Sequence, residues 1–165
     1  MTERPPVTGR PPAPIRWLAW RVFAPVDLAI NALINGAIAW WLFGGRPEVP
    51  LTGAGGLTAM VLPMTFILAT VTTFCGWWNA VRERRAGRAT PPLAADVRWL
   101  RPAAVESVGV GLAAWLVACG AAAAVSWAAP RAAVGPLGGV LAIATIAAGL
   151  GFFLHGRAVT RGGAA

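Results

Sequence analysis

One histidine, two cysteines and six acidic residues are nearly all that this 165-residue chain offers for acid–base, nucleophilic or soft-metal chemistry. His155 has no second ligand at coordinating spacing, so no metal site is expected. Nor does any spacing pair it with a Ser or Cys nucleophile. Axial ligation of a haem or chlorin-type pigment is the one cofactor role open to a lone histidine, and a ring facing lipid headgroups is the plainer expectation. Cys75 and Cys119 fall at different depths of different apolar runs, too far apart to be bridged. The chain contains no phosphate-binding P-loop, dinucleotide fingerprint, HExxH, CxxC or nucleophile elbow. The stretch GAGG at 53–56 precedes an apolar run and reads as a loop. No enzyme and no cofactor is expected.

The informative spacing belongs to polar residues that are not reactive. Asp27, Asn31 and Asn35 recur every four residues and fall within about 80° of one another on a helix. Thr58, Thr65, Thr72 and Asn79 recur every seven, drifting by about 60° over their whole length, with Gly76 on the same face. Antiparallel pairing of these two stripes puts Asn79 at the depth of Asp27 and Asn35 near Thr72. A hydrophilic path or small-ligand site is the functional reading. Interhelical hydrogen bonding, at about 0.6 kcal/mol per contact, is the architectural one and is preferred. Asp27 and Glu106 sit where apolar runs begin, so they read as interfacial anchors neutralised by Arg21 and Arg101.

The elements that must position these residues follow from composition. Apolar residues make up 57% and charged residues 12%, and mean hydropathy is +0.63. Disorder is excluded by that apolar fraction, and a disulfide scaffold by two cysteines. The predicted fold is all-α, an integral membrane four-helix bundle of two transmembrane hairpins. Residues 1–25 form a Pro/Arg-rich tail and an interfacial segment, in which Ile15–Phe23 is a short helix at the headgroups or an extension of the first span. Residues 26–155 hold spans at about 26–43, 57–80, 104–127 and 135–155, each long enough for a bilayer core. Pro25 suits the first turn of span one, Pro63 predicts a kink in span two, and residues 156–165 form a second tail.

Spans three and four carry small-residue faces. Glu106, Gly109, Ala113, Gly120 and Ala124 share one on the third, opposite Trp115. Gly138, Ala142, Thr145, Gly149 and Gly156 share one on the fourth, apart from Ile143, Ile146, Leu150 and Leu154. Such faces let helix backbones approach closely where no water drives association. An internal seam is the reading preferred over an oligomer or subunit contact.

Charge follows the same plan. The net charge of +8 does not point to nucleic acid, because the arginines lie between apolar runs. Twelve fall on one side of the spans, and only Arg46 and Arg131 fall on the other. The positive-inside rule makes the twelve-arginine side, with both termini, cytoplasmic. Anionic headgroups at those clusters are the expected lipid partners. Trp77 and Trp78 mark one interface, and Trp40, Trp41 and Trp127 the other. An acid near the start of each hairpin, Asp27 and Glu106, raises an internal repeat, though the remaining offsets differ.

The run Asn31-Ala-Leu-Ile-Asn35-Gly36-Ala-Ile-Ala39-Trp40, then a Pro-containing loop, then Leu62-Pro63-Met64-Thr65, resembles a group of small uncharacterised bacterial four-span membrane proteins sometimes labelled permease by analogy. The resemblance covers about residues 26–85. It implies a bacterial cytoplasmic membrane location and an architectural place for Asn35, Gly36 and Pro63, with no known activity. Two functional classes follow: a non-enzymatic accessory or scaffold subunit packing with itself or another membrane protein, and a small permease or channel lined by the polar faces of spans one and two.

Overall fold

The computed structural model describes residues 13–94 and 98–162. The Pro-rich tail to residue 12, with Arg4 and Arg10, lies outside them, as do 95–97 and 163–165. Four long helices account for nearly all of the rest: α1 Ile15–Phe43, α2 Leu57–Arg85, α3 Leu100–Ala128 and α4 Pro136–Gly162. All four are long and apolar enough to cross a membrane. The bundle is all-α, as the sequence indicates.

The segment Ile15–Phe23 is not a separate helix. It runs into α1 through a π-helical turn at Ala19–Phe23. Pro25 therefore lies inside α1, where it has no N–H for the carbonyl one turn earlier and its ring crowds that carbonyl. The wider π turn just ahead of it relieves that conflict. Pro63 likewise sits inside α2, which continues on both sides of it.

Two short strand pairs tie the helix ends together. β1 (Ala13–Pro14) runs parallel to β3 (Ala89–Thr90), which brings the N-terminal segment to the α2–α3 connection. β2 (Val49–Pro50) runs antiparallel to β4 (Ala133–Val134), joining the α1–α2 and α3–α4 loops at the other end. Thr52 Oγ1 adds a bond to the Pro130 carbonyl at 3.2 Å. The start of α1, the end of α4 and residues 86–94 thus share one end of the bundle.

The helices do not pack as two hairpins. α1 lies against α4, α4 against α2, and α2 against α3, so the row reads α1–α4–α2–α3. The sequence-adjacent pairs α1/α2 and α3/α4 barely meet. Small residues on α4 explain its central place. A Cβ on Gly151 would stand 2.6 Å from Asn31 Nδ2 of α1, and a Cβ on Gly76 of α2 would stand 2.6 Å from the Ala158 Cβ. Each neighbour can approach α4 only because a side chain is missing there. Beyond this seam, Ala39, Phe43, Val49, Leu57 and Ile143 form an apolar cluster toward the β2/β4 end.

Candidate functional site: a polar clamp and an apolar groove

The most developed polar constellation sits in the half of the bundle that carries the start of α1 and the end of α4, and its centre is His155. The ring is buried, 4% exposed, so it does not face headgroups as the sequence suggested. Its Nδ1 lies 3.3 Å from Asp27 Oδ1 of α1, outside hydrogen-bond geometry. Its Nε2 lies 3.2 Å from Asn79 Nδ2 of α2. With the amide donating, Nε2 is the acceptor and the ring proton falls on Nδ1, toward the carboxylate. Asn31 Nδ2 donates to Asp27 Oδ2 at 2.9 Å and to the Asp27 carbonyl at 2.8 Å. Phe23 stacks on the imidazole at 6.0 Å between centroids. Three helices are therefore held by one chain of contacts.

Two further constellations share this end. Glu106 of α3 accepts from Trp77 Nε1 of α2 at 3.2 Å and pairs with Arg161 Nη1 of α4 at 3.1 Å. Arg84 is buried, donating from Nε to the Pro91 carbonyl at 2.7 Å and from Nη1 to the Gly162 carbonyl at 2.8 Å. A guanidinium there satisfies a carbonyl at the end of α4 that has no helical partner, and its charge suits the negative end of the helix dipole.

The expected polar seam is thus divided. Asp27, Asn31 and Asn79 come together, but through His155 of α4 and not across an α1–α2 hairpin. Asn79 does reach the level of Asp27. Asn35 donates to the Asn31 carbonyl of its own helix at 2.9 Å, and does not meet Thr72 across a packed hairpin. Thr65 is buried and donates to the Val61 carbonyl one turn earlier. Thr72 is buried in α2. Arg21 and Arg101 are not the partners of the two acids: His155 takes Asp27, and Arg161 takes Glu106.

The small-residue faces are displaced in the same way. On α3 the buried residues are Ala103, Ser107 and Gly111, facing α2, while Gly109, Ala113, Gly120 and Ala124 are exposed. On α4 the seam is Gly139, Ile143, Ala147 and Gly151, while Gly138 and Ala142 are exposed and Gly149 is half-buried. Both helices are small on several sides, so spacing alone does not pick the packed one.

Because α3 and α4 both lie on α2 and meet at the Glu106–Arg161 pair near one end, a groove of about 720 Å³ opens between them. Its surface is almost wholly apolar, with Val61 and Thr65 as the floor and Glu106 and Arg157 at one end. Among the described residues no group of three metal-ligating side chains occurs, and both cysteines are free thiols. His155, Arg84 and Ser107 were the positions that spacing did not single out. For His155 the signal available was chemical: an imidazole between Leu154 and Gly156, at the end of an apolar run, needs a buried partner. Arg84, between Glu83 and Arg85, carries no such signal.

The fold and site define a class, a four-helix chain with spanning-length apolar helices locked at one end by buried polar contacts. No family model, curated protein or solved structure matches the chain.

Proposed function

We propose that this chain is a multi-pass protein of a bacterial cytoplasmic membrane, with both termini cytoplasmic, acting as a non-enzymatic accessory or scaffold subunit. The observation that carries this reading is the closure of the polar clamp. Asp27, Asn31, Asn79 and His155 are spent on one another at one end of the bundle. Toward the other end, Ala39, Phe43 and Ile143 pack as an apolar plug where a conducting path would need polar lining. Association is supported by the place of α3, which packs along its length on α2 and exposes Val105, Leu112 and Leu116. The arginine asymmetry supports the orientation. The permease reading draws on the same polar residues but requires them to line a route.

The test is purification in mild detergent with identification of co-purifying membrane proteins, alongside flux measurements in liposomes. A stoichiometric membrane-protein partner or homo-oligomer without flux is the expected result. Solute or ion flux by the isolated chain, lost in Asp27→Asn with assembly intact, replaces this reading with the permease.

A further inference from the structure

We infer that the groove between α3 and α4 seats one acyl chain of an anionic phospholipid, with its phosphate at Arg157. The inference rests on the membrane-embedded reading, but not on any protein partner. Three features of the groove select this occupant.

The first is its lining. Gly109 and Ala113 form one wall, Ile146 and Leu150 the other, and water has little reason to fill such a surface in a bilayer. The second is its length. Along α4 it runs from Ile146 to Arg157, about 16 Å, and along α3 from Glu106 to Ala121, about 22 Å. Both fall short of a hydrocarbon core of about 30 Å. A partner's spanning helix needs a groove across the whole core, whereas a lipid tail does not.

The third feature is the charge at its mouth. Glu106 lines that end, but its two oxygens are already engaged by Trp77 and Arg161. Arg157 also lines it, is exposed, and has no carboxylate partner among the described residues. One acid and two guanidinium groups leave a net positive mouth, complementary to a lipid phosphate with no compensating cation. The opposite end, near Ala121 and Ile146, has no charged lining. Head and tail directions are therefore both determined.

The experiment uses the full chain, delipidated in detergent. Phosphatidylglycerol or phosphatidylcholine with identical acyl chains is added, and bound lipids are counted by native mass spectrometry. One phosphatidylglycerol retained per chain, in preference to phosphatidylcholine, is expected. Arg157→Gln should weaken phosphatidylglycerol about fivefold, the worth of roughly one basic residue at a lipid surface, and leave phosphatidylcholine unchanged. Gly109→Leu should abolish retention of both lipids. A Cβ at Gly109 meets nothing within 4 Å, so this variant fills the groove without disturbing the seam, and unchanged circular dichroism confirms it. Equal retention of the two lipids, retention indifferent to both variants, or a second protein chain occupying the groove each overturn the proposal. Resistance of the chain to carbonate extraction without lipid retention sinks this inference alone. Extraction by carbonate sinks the membrane reading itself.

Discussion

His155 and Arg84 show how much one side chain can organise here. His155 stands between Asp27 of α1 and Asn79 of α2. His155→Leu leaves a carboxylate and an amide without their partner, a loss of about 1–2 kcal/mol. Asp27→Asn keeps a polar group against the imidazole and should cost about 1 kcal/mol or less. The ordering of the two variants in detergent unfolding, histidine worse than aspartate, checks that the clamp is centred on α4. Arg84→Gln removes the charge that holds the Gly162 and Pro91 carbonyls. Hydrogen exchange should then speed up over the last turn of α4 and leave the middle of α2 unaffected. Arginines at apolar-run ends usually suggest solvated or headgroup-facing groups, and nothing in the spacing of Arg82, Arg84 and Arg85 distinguishes the middle one. Its burial follows from where α4 happens to end.

At the scale of elements, the central fact is that α1 pairs with α4. The Cβ position at Gly36 lies 3.4 Å from the Ala144 Cβ, near the spacing of a disulfide. With Cys75 and Cys119 replaced by Ser, the double variant Gly36→Cys/Ala144→Cys should cross-link within one chain. Asn35→Cys/Thr72→Cys should not, and cross-linking in the second pair alone would restore the hairpin arrangement. The same geometry changes what Asn35 is worth. Its amide serves its own helix, so Asn35→Leu should shift stability by about 0.5 kcal/mol or less, where a hairpin contact would make it larger. The polar stripe on α1 was legible in the sequence as a face, through its four-residue repeat. Which helix met that face was not, because a stripe specifies an orientation and no partner.

For the whole molecule, the strand pairs β1/β3 and β2/β4 place the start of α1 and residues 86–94 at one end and the α1–α2 and α3–α4 loops at the other. Cysteines introduced at 44–56 and 129–134 should react with an impermeant reagent from outside the cell. Those at 86–94 should react only after permeabilisation. The reverse pattern inverts the proposed orientation and places the arginine-rich end, with Arg157 and the groove mouth, at the outer leaflet.

Four long apolar helices were legible in the residue order itself. Apolar length and arginine placement are one-dimensional signals, and a bilayer-length helix satisfies its own backbone hydrogen bonds without any partner. The acids and amides that needed burial were likewise visible, with Asn79 matched in depth to Asp27. The neighbour of each helix was decided only in three dimensions. Where small residues recur on several faces, no single stripe is marked, and close backbone approach depends on two helices offering gaps at the same height. Gly151 opposite Asn31 and Gly76 opposite Ala158 meet that condition. They draw α1 and α2 to opposite sides of α4, bring His155 between their polar groups, and leave α3 apart from α4 with the groove between them.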